Sequence, residues 1–235
     1  MTRLKGSSVA LFAKKGRRVA ALGAAGLGAC AVLAACGPVQ AGAAAIVGDQ
    51  RITVSSLDTQ VSNLQAAAKP YSQLPITTAQ MPTAVLSWLI RFAVMDQVAA
   101  TNGITVSQSE AEAGLSSLKS VAQHYGFAST TELLIANGIP PQLFPEVGQW
   151  EAQQTAYALK LNNGKTPSTT AEQNAFTTAI TKSQCQAAKS LNIKVSPQFG
   201  RLDYTHYTVV ATPNTLSQPA GKPTPASTTG LAPAC

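Results

Sequence analysis

Residues 86–98 read LSWLIRFAVMDQV and carry apolar side chains around almost the whole circumference of a helix. These side chains form two stripes, one with Leu86, Leu89, Ile90, Ala93 and Val94, the other with Val85, Trp88, Phe92, Met95 and Ala99. A helix that is apolar nearly all round is buried. We therefore predict a mainly α-helical fold with a helix over about residues 83–101 at its centre, ended by Asn102-Gly103.

Caps and helical periodicity predict further helices on both sides of this one. Thr53 is the predicted N-cap of a first helix, and capping boxes at residues 107–110 and 129–132 open a third and a fourth. Pro140-Pro141 starts a fifth helix, and a last helix runs over about residues 166–191. The expected core stripes are Leu57, Val61, Leu64 and Ala68 in the first helix, Ala111, Leu115, Leu118, Ala122 and Tyr125 in the third, Leu143, Val147, Trp150, Tyr157 and Leu161 in the fifth, and Phe176, Ile180, Ala187 and Leu191 in the last.

Short strands are expected at both ends of this helical region. Residues 45–52 are typical of a β-hairpin with Gly48-Asp49 in its turn, and residues 195–210 look extended. An isolated hairpin is marginally stable, so we expect the extended segment to supply a third strand. Residues 212–235 are mostly Pro, Thr, Ser, Ala and Gly, a composition that cannot bury a core and predicts a tail.

The N-terminal residues are typical of an export signal. A basic region without acids precedes an uncharged apolar run over residues 19–33, which is shorter than the roughly 20 residues of a spanning helix. Leu33-Ala34-Ala35-Cys36 resembles the lipobox of bacterial lipoproteins, in which a diacylglycerol is attached to the cysteine thiol and the peptide is cut before it. We expect lipidation at Cys36, and Arg17-Arg18 leaves open whether export is general secretory or twin-arginine.

The positive charge of the chain belongs mostly to this signal. Six of its seventeen Lys and Arg residues precede Cys36, which leaves eleven basic residues against ten acidic ones. The remaining chain is nearly neutral, so its charge gives no reason to expect a nucleic-acid partner.

The succession of elements resembles the N-terminal domain of SurA-type chaperones, of related foldase lipoproteins and of lipoproteins from Gram-positive actinobacteria. The matching pieces are residues 45–53 (AIVGDQRIT) as the hairpin entering helix one, residues 86–98 as the long second helix, residues 102–110 (NGITVSQSE) as the step into helix three, and the junctions Tyr125-Gly126-Phe127 and Asn137-Gly138-Ile139. The resemblance covers about residues 43–161. The chain departs from the family in having Gly48-Asp49 for asparagine-glycine, and Ser56 where an acid often completes the first capping box.

The resemblance implies a peptide-binding chaperone or foldase outside the cytoplasm. Many members also carry a parvulin prolyl-isomerase domain, which needs about 90 further residues that we do not find after Leu161. We therefore expect no catalysis and no cofactor.

Residues with catalytic potential are few. His124 ends the third helix and is most simply solvated, and a Cys185–His206 nucleophile pair is disfavoured. No histidine pair at metal spacing, CxxC or glycine-rich phosphate loop is present. Trp88 and Trp150 lie on helical stripes and are expected in the core.

Two cysteines stay unassigned once Cys30 is removed with the signal and Cys36 is lipidated. At about 100° per residue, Cys185 falls on the side of the last helix opposite its core stripe. A polar-face cysteine in an exported protein suggests a partner, and Cys235 is the remaining thiol. We predict a Cys185–Cys235 disulfide, with two free thiols or pairing between molecules as the alternatives.

The sequence thus predicts a signal peptide (1–35), a tether (36–44), a SurA N-terminal-like helical domain (45–211) and a tail (212–235). We expect a lipid-anchored protein on the extracytoplasmic face of a bacterial cell membrane that binds unfolded or exported polypeptides without turnover. The contact would be an apolar groove between helices. The alternatives are a scaffold or interaction lipoprotein without client binding, and a prolyl-isomerase-type foldase. Clients and oligomeric state are left open.

Overall fold

The computed structural model describes residues 41–71, 73–204 and 207–212. The chain divides into two compact units, Met1–Gly37 and Pro38–Cys235, and every described residue belongs to the second. Its elements in chain order are strands β1 (Ala43–Val47) and β2 (Gln50–Thr53), helices α1 (Val54–Ala68), α2 (Met81–Thr101), α3 (Gln108–His124) and α4 (Thr130–Ala136), a 3₁₀ helix (Pro141–Leu143), helices α5 (Phe144–Leu161) and α6 (Thr170–Ser190), and strands β3 (Lys194–Val195), β4 (Arg201–Asp203) and β5 (Thr208–Val210). The fold is mainly α-helical, as the sequence predicts.

The strands form two small antiparallel sheets. In the first, β1 lies between β2 and β3, with Ala45 opposite both Ile52 and Val195. The expected pairing of the C-terminal extended segment with the hairpin is therefore confirmed at Val195. β4 and β5 form a separate two-stranded sheet. β1 begins at Ala43, which is buried and lies inside the range predicted as tether.

α2 is the central helix, and its apolar residues face two different cores. The sheet-side core combines Leu86, Ile90 and Val94 of α2 with residues of β1, α1, α6 and β5. The bundle-side core combines Trp88, Phe92 and Met95 of α2 with residues of α3, α4 and α5. Two-sided burial explains why this helix carries so few polar residues.

By length and composition, α2 also qualifies as a candidate membrane span. Its most apolar 18-residue window has a mean hydropathy of 1.3, and 67% of that window is buried inside the fold. A mostly buried core helix of a soluble protein passes the same test of length and composition, so this test is weak evidence for a membrane span.

Most predicted helix ends are close to the observed ones. Thr53 caps α1 by accepting a hydrogen bond from the Ser56 amide at 3.1 Å, and Ser107 with Glu110 forms the predicted capping box of α3. The capping box predicted at Ser129 is incomplete, because the Glu132 carboxylate accepts from the Ala128 amide instead.

Three predicted helix starts differ from the observed ones. α2 begins at Met81 rather than at residue 83, because the first turn of a helix tolerates proline, here Pro82. The segment after Pro140 forms one 3₁₀ turn before α5 begins at Phe144. α6 begins at Thr170, where Thr169 and Glu172 form a capping box that the sequence reading missed.

Three large side chains of the predicted core stripes lie outside the core. Tyr125 is 47% exposed and Leu161 is 46% exposed, because each stands at the end of its helix, beyond the packed turns. Phe176 is half-buried near the start of α6, whereas Ile180, Ala187 and Leu191 of the same stripe pack against the cores.

Candidate functional site

The structure places one of the three predicted site cysteines. Cys185 lies on α6 and is 8% exposed, whereas Cys36 and Cys235 lie outside the described residues. The lipidation of Cys36 and the Cys185–Cys235 disulfide therefore stay predictions.

Cys185 is more buried than its helix position suggested. The face of α6 that packs on the cores is centred near Gln184 and Ala188, which are 2% and 0% exposed. Cys185 lies about 100° round the helix from Gln184. Its neighbours on that side, Lys182 and Lys189, are exposed. Cys185 was expected on the polar side of α6, opposite its core stripe, and the structure instead buries it at the edge of the packed face, beside the exposed Lys182 and Lys189.

A groove of about 550 Å³ runs along this side of α6. Its described lining residues are Thr177, Thr178, Thr181, Lys182, Cys185, Gln186 and Lys189. Their side chains carry polar tips on methyl or methylene stems, so the wall can form hydrogen bonds and can also cover apolar surface. The volume is in the usual range of ligand pockets.

The described lining residues of the groove follow the axis of α6. From residue 177 to residue 189 the α-helical rise of ~1.5 Å per residue gives a length of about 18 Å. An extended polypeptide covers that length with about five residues.

His124, the histidine that the structure describes, lies far from Cys185 in the sequence of elements and is solvated. His124 is exposed at the end of α3, where its ring meets that of Tyr125 edge-on with 5.1 Å between centroids. His206 lies outside the described residues, so the geometry of a Cys185–His206 pair is not defined. Among residues 41–71, 73–204 and 207–212, no group of three or more His, Cys, Asp or Glu side chains could hold a metal ion.

Both tryptophans belong to the bundle-side core, as predicted. Trp88 is 2% exposed and Trp150 is 4% exposed, and their rings meet edge-on at 5.5 Å. The Trp88 indole donates a hydrogen bond to the Asn137 carbonyl at 2.8 Å, which satisfies its polar group in the interior.

A buried polar cluster joins α2 to the C-terminal segment, and sequence reasoning did not find it. Ser87 accepts a hydrogen bond from the Val209 amide at 2.8 Å, and the Arg91 guanidinium donates to the Tyr207 carbonyl at 3.1 Å. The same guanidinium lies 4.8 Å from the centroid of the Trp88 ring. Ser87 and Arg91 are four residues apart on an otherwise apolar helix, so they share one face.

Burial controls the ionisation of this cluster. It lowers the pKa of Arg91 from 12.5 to about 10, and the nearby Tyr207 partly offsets this effect. It also raises the pKa of Tyr207. At neutral pH the arginine is therefore charged and the phenol neutral. In the described part of the chain, neither Arg91 Nε nor the Tyr207 hydroxyl has a hydrogen-bond partner.

A second perturbed group lies where α3 and α5 cross. Burial raises the pKa of Glu151 on α5 to about 7. The crossing is close because it contains two glycines, and a Cβ atom on Gly114 would lie 2.5 Å from the Gly148 carbonyl oxygen. The sequence carries both glycines inside predicted helices, which is a signal of close packing that we did not use.

Comparison with known proteins identifies the domain. A family model described as SurA-like N-terminal domain matches residues 19–148, more than half of the chain. No curated protein and no solved structure matches the chain. The matched region contains the hairpin, α1 to α4 and the start of α5, which are the elements that carried the resemblance in the sequence. This chain therefore belongs to the family of SurA-like N-terminal domains.

Proposed function

We propose that this protein is a non-catalytic chaperone that is lipid-anchored through Cys36 outside the cytoplasm and holds unfolded or exported polypeptides. The observation that carries the proposal is membership of the SurA-like N-terminal domain family, which suggests a chaperone-like role. Anchoring at the membrane surface would keep the binding domain where exported chains emerge.

The described surface argues for a different client contact from the apolar groove that we expected. Tyr125 and Leu161 are the large apolar side chains that are strongly exposed among the described residues. Single exposed apolar residues are normal on a protein surface and do not form a binding face. Among the described residues, the remaining candidates for a client contact are side chains that combine polar and apolar parts.

The α6 groove meets this requirement. Its threonine, glutamine and lysine side chains can donate hydrogen bonds to the backbone carbonyls of an extended client, and their stems can cover its apolar side chains. Contacts of this kind read the backbone more than the sequence, so selectivity would be low. Lys182 and Lys189 would favour clients with acidic segments.

A scaffold function is the second candidate, and the scarcity of exposed apolar surface in the described residues favours it. In that case the protein would bind a folded envelope partner and would not protect unfolded chains. A prolyl-isomerase activity is the third possibility, and a proline-isomerisation assay tests it with no acceleration expected.

An aggregation assay with matched variants separates the first two candidates. The purified chain, with reductant present to keep its cysteines in one state, is added to a chemically denatured model protein during dilution, and light scattering is followed. We expect scattering to fall as the chain is added. Gln186→Trp places a large side chain in the groove. About ten times more of this variant than of the natural chain should be needed for the same protection.

The control is Gln123→Trp, which makes the same substitution at an exposed residue of α3 away from the groove. It should protect as well as the natural chain. Absence of protection by the natural chain would favour the scaffold function. Equal loss in both variants would remove the groove from the mechanism.

A further inference from the structure

We propose that Ser87 and Arg91 of α2 form a binding site for extended polypeptide, and that residues 207–210 of the chain occupy this site until a client segment displaces them. The inference deepens the proposed function and rests on it, because it assigns the client a second contact besides the α6 groove. Its test uses a peptide copied from this chain and not an unfolded protein, so the two can fail separately.

The way in which α2 holds the backbone of this segment is the first argument. The Arg91 guanidinium donates a hydrogen bond to the Tyr207 carbonyl at 3.1 Å, and the Ser87 hydroxyl accepts one from the Val209 amide at 2.8 Å. These two backbone groups belong to residues two apart, and each is bonded to a side chain of α2. Hydrogen bonds to the main chain can hold an extended segment whatever its side chains.

The side chains of the segment give the second argument. Tyr207 and Val209 are 1% and 5% exposed, and both belong to the sheet-side core together with Leu86, Ile90 and Val94 of α2. One short segment therefore bonds α2 through its backbone and also fills two positions in the core beside it. The side chains at these positions set the specificity of such a site. We expect it to favour a segment with an aromatic residue two positions before a β-branched one.

The imperfect fit of the present occupant is the third argument. Tyr207 has a φ of +52°, a left-handed conformation that is strained for a large side chain. Within the described residues, its hydroxyl and the Arg91 Nε are buried without a hydrogen-bond partner. The described contacts of the Arg91 charge are a carbonyl oxygen and the face of the Trp88 ring, neither of which carries a full negative charge. Each of these features makes the docked state of the segment less stable than a fully satisfied contact would be.

The position of β5 allows residues 207–210 to leave while the rest of the domain stays folded. In the described sheets β5 pairs with β4, and this pair is separate from the sheet of β1, β2 and β3. The hairpin that enters α1 and its pairing with β3 therefore stay intact when the segment moves. Without the segment, α2 presents the donors of Arg91 and the Ser87 hydroxyl on an apolar surface, where a client segment of the same pattern can bind.

Hydrogen exchange of the natural chain tests whether the segment opens locally. The Val209 amide should exchange at least about a hundredfold faster than the amides of Ile90 and Val94, because local opening needs less free energy than unfolding of α2. Amides of β1, which lies between two strands, should stay protected like those of α2. Exchange of the Val209 amide at the slow rate of the α2 amides would show that the segment leaves only on global unfolding, and would overturn the proposal.

A peptide titration tests the site itself. The probe is a fluorescently labelled peptide with the sequence of residues 204–211, and its anisotropy is followed with reductant present. Val209→Ser weakens the docking of the chain's own segment and leaves α2 unchanged, so this variant should bind the probe at least about tenfold more tightly than the natural chain. Val195→Ser, the same substitution in β3, is the matched control and should bind the probe like the natural chain. A probe with serine at the positions of Tyr207 and Val209 should not bind.

Arg91→Met tests the role of the guanidinium. Methionine keeps a long apolar stem and removes every donor, so Val209→Ser combined with Arg91→Met should lose the tight binding while circular dichroism shows the same helix content. Equal binding of the probe by Val209→Ser and by the natural chain, or tight binding kept in the double variant, would overturn the proposal. If the natural chain still bound an unfolded protein, the proposed function would stand without this site. The exchange measurement decides the question on its own should a variant fail to fold.

Discussion

Trp88 shows how much of this fold depends on single side chains of α2. Its ring contacts Trp150 edge-on, lies under the Arg91 guanidinium and bonds through its indole nitrogen to the Asn137 carbonyl. It therefore links α2 to α5, to the turn after α4 and to the buried polar cluster. No smaller side chain could make these contacts together.

The substitution Trp88→Ala should lower the free energy of unfolding by about 3–5 kcal/mol, because it removes buried apolar area and leaves a cavity. Urea unfolding followed by circular dichroism gives the value. A loss below about 1 kcal/mol would show that the surroundings collapse around the site or that Trp88 is not packed as described.

Glu151 should make stability depend on pH. Burial raises its pKa to about 7 in the folded chain, whereas a glutamic acid in an unfolded chain has a pKa of about 4.3. Between these values the folded state binds the extra proton, so the free energy of unfolding falls as pH rises through about 4.5 to 7. Below that window the carboxyl is neutral in both the folded and the unfolded chain, so its ionisation no longer lowers the free energy of unfolding.

The variant Glu151→Gln should lack this fall and should be more stable than the natural chain at pH 8. We expect a gain of about 1–2 kcal/mol, less than the full pKa shift implies, because the side chain is half-buried and water still screens it. Denaturant unfolding at several pH values measures it. Identical pH profiles for the two chains would contradict a perturbed Glu151.

At the scale of elements, the crossing of α3 and α5 depends on two glycines. A Cβ on Gly148 would clash with the Ala111 carbonyl oxygen, and one on Gly114 with the Gly148 carbonyl oxygen. Backbone atoms cannot move aside as a flexible side chain can, so the helices would have to separate. The glycines therefore set the distance between these helices.

Gly148→Ala should destabilise the fold by about 1–3 kcal/mol through overpacking, although alanine is the better helix former. Ala113→Gly on the exposed side of α3 is the control and should cost about 1 kcal/mol through propensity alone. Thermal unfolding measures both. If Gly148→Ala raised the melting temperature, the helix propensity of alanine would outweigh any steric clash between α3 and α5. The close contact between these helices would then be disproved.

The sequence predicted elements better than it predicted contacts between them. The apolar stripes of α2 and the caps at Thr53 and Ser107 are local patterns, and the structure confirms them. Ser87 and Arg91 were visible as polar interruptions of α2. Their partners Val209 and Tyr207 are more than a hundred residues away, and no periodicity links them.

The candidate site was harder to predict, for the same physical reason. The described lining of the α6 groove is one face of that helix, and the sequence shows this face only as polar. Whether a polar face is solvated or forms a groove depends on what packs beside it. The burial of Cys185 is likewise a three-dimensional property that its position on the helix did not predict.

At the scale of the whole molecule, α2 and the C-terminal strands hold the domain together. α2 contributes to both cores, and the C-terminal segment returns to pair β3 with β1 and to place Tyr207 and Val209 on α2. The N-terminal hairpin and the C-terminal strands are thus parts of one folding unit. The family match ends at residue 148, so α6 and these strands extend the fold beyond it.

Anchoring is the second property of the whole molecule. Cys36→Ser should leave the signal uncut at the lipoprotein site and should move the protein out of the detergent phase, because serine cannot form the thioether. Phase partitioning with intact-mass analysis measures both. Cys185→Ser is the matched control and should be processed and partition like the natural chain. Normal processing and detergent partitioning of Cys36→Ser would disprove lipidation.

The most direct test of the proposed function is a binding titration with one polypeptide in two states. A fluorescently labelled model protein is used in its folded form and in a reduced, carboxymethylated form that cannot fold, and anisotropy is followed as this chain is added with reductant present. The account predicts saturable binding to the unfolded form and none to the folded form. No binding to either form, or equal binding to both, would contradict it.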